Sequence, residues 1–307
     1  MTLISLVLAL ALEQFRPFNA ARFLHQPLVA LSRFFEDRFN DGRAAHGVLA
    51  WCLMVLPPVI LTALLHFFLY TVSPLLAMAF NVAVLYYTFG FRHASHFFTR
   101  IHAALRAHEL DRARELIGLW RKHLHDRSPS NEVARLTIEE ALLGAHRQVF
   151  AIFIVFLILP GPSGAVLYRM SEFLSRHWGE RKDHEIGEFG QFARKAFYVV
   201  EWLPARITAM AFSIVGDFED AAYCWRTQST SWSDRNAGIL LASGAGALGV
   251  RLGGPIHQSG EIVERPELGA GDEADVDFLQ STVGLVRRTV VLYVVVLLFM
   301  GISRMAG

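Results

Sequence analysis

Cysteine and charge are both scarce in this chain of 307 residues. Its two cysteines, Cys52 and Cys224, lie far apart and outside any metal-binding spacing, so we expect neither a disulfide nor a cysteine-bound metal. Charged residues make up 19% of the chain, hydrophobic residues make up 53%, and the mean hydropathy is +0.34. This composition is untypical of a soluble enzyme and indicates an integral membrane protein. The net charge of +1 says little about partners. We expect no nucleic-acid partner.

A dinucleotide-binding fold is also missing, although its glycine pattern is present. Gly244, Gly246 and Gly249 match G-x-G-x-x-G, and Glu264 follows at about the twenty-residue distance typical of a ribose-binding acid. A phosphate-binding helix of that fold must run for several turns, but Gly253-Gly254-Pro255 would end it after one. We therefore predict no nicotinamide or flavin site.

Glycine is concentrated in one apolar stretch, from Asn236 to Pro255. Its only charged residue is Arg251. Glycines that give no side chain to pack usually mark a close approach of backbones or of a ligand. Small residues recur at i, i+4 spacing, as at Ala245 and Gly249, which is typical of closely packed membrane helices. If the protein has a ligand, we expect it at this stretch.

The apolar segments predict an all-α integral membrane protein with about four to six membrane segments, some broken or re-entrant, and with cytoplasmic helical loops. We treat residues 1–307 as a single membrane domain whose partner is the lipid bilayer. The predicted segments are Met1 to Leu12, which is a short or partial span, Gly47 to Tyr70, Val72 to Phe91, Val149 to Tyr168, Phe197 to Val215 and Thr289 to Ser303.

The basic residues predict an orientation. The second and third segments are joined by a turn too short for a domain, so they form a hairpin whose two flanks share one side. These flanks, Glu13 to His46 and Arg92 to Gln148, carry fifteen of the 29 lysines and arginines, and the positive-inside rule places them in the cytoplasm. We predict a multi-pass protein of a bacterial-type inner membrane. Residues 92–148 form a cytoplasmic helical loop, and residues 217–288 form a glycine-rich polar segment before the last span.

Prolines divide two of the predicted segments. Pro160-Gly161-Pro162 lies in the fourth and Pro204 in the fifth, and broken helices are tolerated where their backbone lines a cavity or is buried in protein. If both segments crossed fully, the loop from Arg169 to Lys195, with six lysines and arginines, would lie outside, against the charge rule. Alternatively, the turn at Pro160 is re-entrant and returns the chain to the cytoplasm. Both alternatives remain open.

Short motifs along nearly the whole chain resemble one known family. They are AGALGVRLGGP at residues 245–255 with the preceding Asn236-Ala237-Gly238, then Gly260-Glu261, Arg265-Pro266 and Leu268-Gly269, and upstream Gly161 to Ala165, Tyr168-Arg169, Phe189-Gly190 and Pro204-Ala205-Arg206. These motifs are similar to those of the CbiB/CobD family, the membrane adenosylcobinamide-phosphate synthases of cobalamin biosynthesis. The resemblance implies an enzyme that joins the carboxylate of adenosylcobyric acid, a corrinoid, to aminopropanol or its phosphate as an amide, with ATP and magnesium.

The chain departs from that family in its acidic residues. After Glu139-Glu140 no aspartate or glutamate occurs until Glu172, and the family's DSxxGYR motif becomes the stretch from Ser175 to Arg181, which keeps the glycine and arginine but lacks the aspartate. The family's Asp-Asp pair before PAR becomes Phe197-Tyr198. Magnesium takes oxygen ligands, so a synthase that handles ATP should need such carboxylates. The residues themselves therefore indicate no certain cofactor, and ATP with magnesium follows only from the synthase hypothesis.

A scaffold without these acids is also similar to the AmpE-like proteins, inner-membrane relatives linked to β-lactamase induction. The start MTLISLVLALALEQF and the segment from Val199 to Gly216, which has Glu201 three residues before its proline, look closer to AmpE than to the synthases. Two hypotheses follow: an amide-forming synthase acting on a corrinoid at the cytoplasmic membrane face, or a non-catalytic regulatory or sensing protein on the same scaffold.

The synthase hypothesis assigns roles to the remaining polar residues and to the glycines. The expected catalytic residues are Glu139, Glu140 and Arg181, and the expected substrate-binding residues are Asn236, Gly238, Gly246, Gly249, Arg251, Gly253, Gly254, Tyr168, Arg169 and Arg206.

Most of these residues also have a structural interpretation. Arg251, beside glycine amides able to bind an anion, is either a carboxylate or phosphate clamp or an arginine that extends to the membrane interface. Tyr168-Arg169 suits an interfacial anchor, and Arg206 with Glu201 suits an internal ion pair. The pairs His93 with His96 and His123 with His125 have metal-like spacing, but no acid or cysteine converges on them in sequence, so we predict no metal site.

Overall fold

The computed structural model of the chain describes residues 2–15, 20–89, 91–181, 186 and 188–306, and most of these residues are helical. The helices are α1 (Thr2–Phe15), α2 (Ala20–Phe39), α3 (Ala44–Val72), α4 (Pro74–Thr88), α5 (Phe91–Arg106), α6 (Leu110–Arg121), α7 (Ser130–Ala145), α8 (Ala151–Ile158), α9 (Ser163–Leu174), α10 (Gln191–Val215), α11 (Phe218–Gln228), α12 (Arg235–Leu248) and α13 (Val276–Ala306). Two π-helical turns, His146–Phe150 and Ser175–Gly179, follow α7 and α9, and a 3-10 turn, Ser229–Ser231, follows α11.

Four helical stretches are long and apolar enough to cross a membrane. They are Ala44–Val72, Ser130–Ile158, Gln191–Val215 and Val276–Gly301, and two shorter apolar helices are Leu3–Glu13 and Pro74–Thr88. An 18-residue apolar helix is about 27 Å long, close to the thickness of the hydrocarbon layer. The predicted all-α membrane protein with four to six apolar segments is confirmed.

The prolines act differently from one another. At Pro160-Gly161-Pro162 the chain leaves the helix, since α8 ends at Ile158 and α9 begins at Ser163, and Gly161 has a positive φ of 58°. Pro204 and Pro57-Pro58 lie inside the continuous helices α10 and α3, so the predicted division at Pro204 was wrong. Because a proline removes only one amide donor, a long helix can continue through it when its other turns are well packed.

Two apolar helices are longer than predicted. The stretch Ser130–Ile158 begins inside the predicted loop 92–148, and α13 begins at Val276, well before Thr289. The acidic side chains Glu132 and Glu139, which make the start of α7 look polar in sequence, are buried in the fold. A charge count along the chain does not distinguish a buried, paired acid from a solvated one.

One compact unit comprises Met1–Phe89 and Ala151–Pro204. Within it α3 packs against α2, α4 and α9, and α1 packs against α4. Trp51, Met54 and Trp178 lie in its buried core with Phe189. Gly47 allows α3 to approach that core, because a Cβ atom at this position would lie 2.1 Å from the carbonyl oxygen of Phe189.

The other compact unit comprises Gly90–Phe150 and Ala205–Gly307. In this unit α7 packs against α5, α6, α12 and α13, and α12 packs closely against α11. All residues of α12 from Asn236 to Ala247 are buried. A Cβ atom on Gly246 would lie 2.5 Å from the carbonyl oxygen of Asp220 on α11. The glycines thus permit the close backbone approach that the sequence predicted.

Five short strands follow α12, a feature that the sequence did not predict. β1 (Val250–Gly253) pairs antiparallel with β4 (Glu267–Leu268) and parallel with β5 (Asp272–Glu273). β2 (Ile256–Gln258) pairs antiparallel with β3 (Glu261–Val263) to form a hairpin. The glycine-rich stretch is therefore helix in its first half and strand in its second.

Candidate functional site

The glycine-rich stretch is held at both ends of α12. The side chain of Asp234 caps the helix by accepting hydrogen bonds from the amides of Asn236 and Ala237, and Gly249 ends it in the left-handed conformation. Asn236 is fully buried, and its side-chain oxygen accepts a hydrogen bond of 3.3 Å from Arg206 Nη1. Two predicted substrate-binding residues, Asn236 and Arg206, are thus in contact with each other.

The backbone amides expected to bind an anion meet acceptors of the protein itself. The amide of Gly253 donates to Glu139 Oε1 at 2.9 Å, and the amide of Gly254 donates to the carbonyl oxygen of Pro266 at 3.0 Å. Both glycines have positive φ, 70° and 71°, a conformation that side-chain-bearing residues rarely adopt. The anion at Gly253 is therefore the buried carboxylate of Glu139.

Glu139 belongs to a group of two acids and two arginines that we call the anchor cluster: Glu139, Glu140, Arg121 and Arg265. Arg265 donates from Nη1 to Glu139 Oε2 at 2.8 Å and from Nη2 to Glu139 Oε1 at 3.0 Å, the two-pronged geometry in which arginine binds a carboxylate best. Arg121 donates to Glu140 at 2.8 Å and lies 3.8 Å from Glu139. Glu139 and Glu140, both predicted catalytic, are therefore paired with arginines.

Arg265 also fixes the backbone of the glycine-rich stretch. Its Nε donates to the carbonyl oxygen of Gly254 at 3.1 Å, and its guanidinium lies 5.1 Å from the ring centre of Trp232. Its side chain is only 13% exposed. The sequence singled out Arg265-Pro266 as a family motif but assigned it no role, because its carboxylate partner, Glu139, lies 126 positions earlier in the chain.

A second group of polar side chains holds the β2–β3 hairpin. Glu132 accepts hydrogen bonds of 2.8 Å from the amide of His257 and of 2.6 Å from the hydroxyl of Ser128, and its Oε2 lies 2.8 Å from His257 Nδ1. His125 Nδ1 lies 2.9 Å from the carbonyl oxygen of His257. Burial lowers the pKa of His125 below its ordinary value of 6.5. These residues attach the hairpin to the start of α7.

Arg251, the predicted clamp, lies on β1 with its side chain 46% exposed. Its Nη2 is 3.7 Å from Glu273 Oε1 on the neighbouring strand β5. An exposed pair at this distance contributes little to stability. Arg251 is thus accessible on the surface, and its role as a clamp stays a prediction.

Tyr168 and Arg169 lie in the other compact unit, on α9. The hydroxyl of Tyr168, which is fully buried, donates to Glu201 at 3.2 Å. Arg169 donates to the carbonyl oxygen of Thr88 and to Glu172 Oε2, the latter at 2.6 Å. Both side chains therefore bind other groups of their own unit.

Arg181, the third predicted catalytic residue, lines an open cleft of about 440 Å³ in the same unit. Arg33, Glu36, Asp37, His177 and Arg181 line this polar cleft. Arg181 Nη1 donates to Glu36 Oε1 at 2.8 Å, across 145 positions of sequence. The other oxygen of Glu36, Oε2, is buried and has no hydrogen-bond partner among the residues that the structure describes.

The walls of the polar cleft come from α2, from a π-helical turn and from Arg181, two residues after that turn. Helix α2 presents Arg33, Glu36 and Asp37, whose i, i+3, i+4 spacing puts them on one face of the helix. The π-helical turn Ser175–Gly179 carries His177, and such turns occur frequently at functional sites. The sequence missed the three residues on α2. The spacing of unlike charges on an amphipathic helix was the available signal, but it does not tell a cleft wall from a solvated face.

A metal site was not predicted from the histidine pairs. Within the described part of the chain, no three or more His, Cys, Asp or Glu side chains form a group able to hold a metal ion. His93 lies among the residues whose side chains are not described.

The chain is similar to known proteins over most of its length. The family model described as CobD/Cbib protein matches residues 6–286. The chain is 35% identical over 282 residues to the "Cobalamin biosynthesis protein CobD" of Stutzerimonas stutzeri, covering 90% of this chain and 91% of the relative. It is 38% identical over 216 residues to the protein of the same name from Chromobacterium violaceum, covering 70% and 68% of the two chains. The "Cobalamin biosynthesis protein CbiB" of Salmonella typhimurium is 26% identical over 229 residues, covering 70% and 68%.

No solved structure matches the chain significantly. The family match contains both the anchor cluster and the polar cleft, since it spans residues 6–286. Sequence motifs, membrane-type helices and relatives that match over most of the chain thus lead to one conclusion: the chain belongs to the CobD/CbiB protein family of cobalamin biosynthesis.

Proposed function

We propose that this protein is an amide-forming synthase of cobalamin biosynthesis, which joins the carboxylate of adenosylcobyric acid to aminopropanol or its phosphate. The observation that supports this function best is the polar cleft, an open cavity of about 440 Å³ lined by two acids, two arginines and a histidine. Joining a carboxylate to an amine requires a site that holds groups of opposite charge close together. The relatives named for cobalamin biosynthesis supply the pathway.

The polar cleft contains two acids, Glu36 and Asp37, that could replace acids missing from the family motifs. Glu36 and Asp37 lie on α2, far upstream of the segment where those acids were expected, yet Glu36 reaches Arg181 of that segment. We infer that these two acids take over part of the role of the missing ones. Arg181, predicted from the sequence to be catalytic, keeps that role in the proposal.

A carboxylate does not acylate an amine unaided, so the proposed reaction includes ATP as a co-substrate. ATP would supply its γ-phosphoryl group to the carboxylate oxygen with release of ADP, and the amine nitrogen would then displace phosphate from the activated carboxylate and lose a proton to give the amide. Because no three or more potential metal ligands come together in the described part of the chain, we derive no step through magnesium.

The anchor cluster has a different role in this proposal. Glu139 accepts one hydrogen bond from the amide of Gly253 and two from the guanidinium of Arg265. A carboxylate with three such donors is held in place rather than left available for chemistry. We therefore assign Glu139 to positioning the stretch Asn236 to Pro255, and we keep Arg251, which is accessible, as the candidate contact for a corrinoid side chain or carboxylate.

The proposed location is the inner membrane of a bacterium, with the bilayer around the apolar helices. The exposed side chains on α3 support this location, since Leu61, Leu64 and Phe68 are each more than 60% exposed. Apolar surface of this extent requires a non-aqueous neighbour.

Complementation tests the proposal. A bacterial strain without its own corrinoid-amidating enzyme should grow on corrinoid precursors when it expresses this protein. Arg181→Gln should reduce product formation at least about tenfold, because it removes the guanidinium that pairs with Glu36 in the cleft. Arg38→Gln, an exposed change on the same helix as Glu36 but outside the cleft, is the matched control.

Two results would decide against parts of the proposal. A membrane-inserted protein that restores no growth would refute the synthase and favour the non-catalytic AmpE-like alternative. Full growth with Arg251→Ala would show that Arg251 is not part of the substrate site. Because the Arg251 side chain is 46% exposed, a loss of growth in this variant would not be explained by a folding defect.

A further inference from the structure

The β2–β3 hairpin has a free edge along β3. Its turn residues, Ser259 and Gly260, have positive φ of 54° and 85°, as in the two-residue type I′ turn. In such a hairpin the pair that flanks the turn, Gln258 and Glu261, exchanges hydrogen bonds, and the next pair does not. Ile262 belongs to that next pair. Its backbone amide and carbonyl group therefore point away from β2.

The free edge is exposed and apolar at its centre. In the described part of the chain β3 pairs with β2 alone, and all three of its residues are exposed. The side chain of Ile262 is 61% exposed and that of Val263 is 38% exposed. Proteins usually protect an edge strand with charges, a proline or a covering segment, because its free backbone groups pair readily with another strand. An edge with isoleucine at its centre is thus suited to receive a strand.

The two ends of this edge differ in charge. At the turn, the amide of Ser259 donates to the carbonyl oxygen of Leu124 at 2.9 Å, in a loop whose exposed Lys122 and Arg127 outnumber its one acid. At the other end the strand leads to the exposed Glu264. A second copy of the strand in antiparallel orientation places each Glu264 against the turn of the other copy, beside the basic loop. The edge is therefore complementary to itself, as a twofold interface requires.

From these observations we propose that β3 pairs antiparallel with β3 of a second copy of this chain, about a twofold axis at Ile262, and forms a four-stranded sheet across a homodimer. The two copies of Ile262 face each other and exchange two N–H···O hydrogen bonds through the groups that β2 does not use. On the opposite face of the sheet, Glu261 of each copy lies across from Val263 of the other.

The bilayer favours a contact of this small size. Stable interfaces in solution bury about 1,600 Å² in total, which is more than two strands of three residues provide. The hairpin belongs to the same compact unit as α13, one of the helices long and apolar enough to cross a membrane. Because a membrane confines both copies to one plane and one orientation, it lowers the translational and rotational cost of association. We therefore expect the dimer in a bilayer.

Cysteine cross-linking in membranes tests the contact. In a variant with Cys52 and Cys224 replaced by alanine, Ile262→Cys should form an intermolecular disulfide, because the facing Cα atoms of a hydrogen-bonded pair lie about 5.5 Å apart. Glu219→Cys, an exposed change on α11 of the same unit, controls for random collision. The yield should be at least about tenfold higher at position 262 than at 219. Equal yields would overturn the proposal.

A pair of further variants tests the antiparallel register. Glu261→Cys and Val263→Cys should cross-link when the two variants are expressed together. Either one alone should not, since each position lies roughly 8 Å from its own copy, beyond the reach of a disulfide. Efficient linkage of position 261 to 261 and of 263 to 263 would indicate a parallel pair and would overturn the proposed arrangement.

Proline at position 262 separates dimerisation from the fold of the hairpin. Ile262→Pro removes the outward amide and leaves the hydrogen bonds with β2 in place, so it should weaken dimerisation at least about tenfold. Ile262→Val, which keeps the amide and a branched apolar side chain, should dimerise as the parent does. Counting of labelled subunits by single-molecule photobleaching in phosphatidylcholine vesicles measures the dimer fraction. Monomers in the parent protein, or full dimerisation of the proline variant, would contradict the pairing.

Discussion

At the scale of single residues, Glu139 is the side chain on which the glycine-rich stretch depends most. It is 2% exposed and binds Arg265 through both oxygens. A buried ion pair adds little net stability, because desolvation of the two charges offsets their attraction. Removing one partner is strongly destabilising, because the other charge then stays buried without a counter-charge.

Glu139→Gln should therefore destabilise the protein by about 3–5 kcal/mol, since it leaves Arg265 buried without its counter-charge. Glu140→Gln is the matched control, because Glu140 is 27% exposed and, among the residues that the structure describes, pairs only with Arg121, so we expect a loss of about 1 kcal/mol or less. Thermal unfolding of the purified protein in detergent measures both. Equal losses in the two variants would contradict the structural role of Glu139.

His125 makes the stability depend on pH. Burial lowers its pKa in the folded protein, so as pH falls below the ordinary value of 6.5 the unfolded chain binds a proton before the folded one does. The free energy of unfolding should therefore fall as pH decreases from 6.5 toward the lowered pKa, and should be unaffected by this group above 6.5.

A His125→Gln variant should show a smaller acid-induced loss, because glutamine does not titrate. Melting curves between pH 7.5 and 5 for the two proteins check this. A parallel fall in both would show that other groups dominate, and His123→Gln, an exposed neighbour, is the control.

At the scale of elements, the packing of α12 against α11 is the feature most sensitive to added atoms. A Cβ on Gly246 would lie 2.5 Å from the backbone of Asp220, far inside normal contact distance. Backbone atoms cannot move aside as the end of a flexible side chain can, so the helices would have to separate.

Gly246→Ala should cost about 1–3 kcal/mol despite the better helix propensity of alanine. Gly284→Ala on α13, where nothing lies within 4 Å of the added atom, should be neutral or slightly stabilising. Thermal unfolding again provides the measurement. A neutral Gly246→Ala would mean that α11 and α12 separate without loss of contacts elsewhere.

At the scale of the whole molecule, the membrane orientation is open to a direct test. The basic flanks predict that Lys122, which is exposed after α6, lies in the cytoplasm. In a variant with Cys52 and Cys224 replaced by alanine, Lys122→Cys should react with a membrane-impermeant maleimide only after the cells are opened.

The same assay on Arg176→Cys resolves the two alternatives at Pro160-Gly161-Pro162. Arg176 is 54% exposed, so its labelling reports its side of the membrane. Labelling in intact cells indicates that the preceding segment crosses fully, and labelling only after lysis indicates a re-entrant turn. Labelling of Lys122→Cys in intact cells would contradict the predicted orientation itself.

Local sequence was sufficient for the membrane class, the apolar segments, the glycine-dependent close packing of α12 and the family. Hydropathy, glycine spacing and short motifs are properties of neighbouring residues, so they can be recognised without knowing what the segment contacts. The break at Pro160-Gly161-Pro162 is also local, whereas the continuity of α10 through Pro204 depends on packing around that residue.

Tertiary structure alone decided which charges meet. Arg265 reaches Glu139 across 126 positions and Arg181 reaches Glu36 across 145, and no spacing rule connects residues so far apart. For the same reason the sequence missed the strands after α12 and the three cleft residues on α2. A pair between distant segments forms because packing of the intervening helices brings the side chains within hydrogen-bond distance, and that packing is a property of the whole fold.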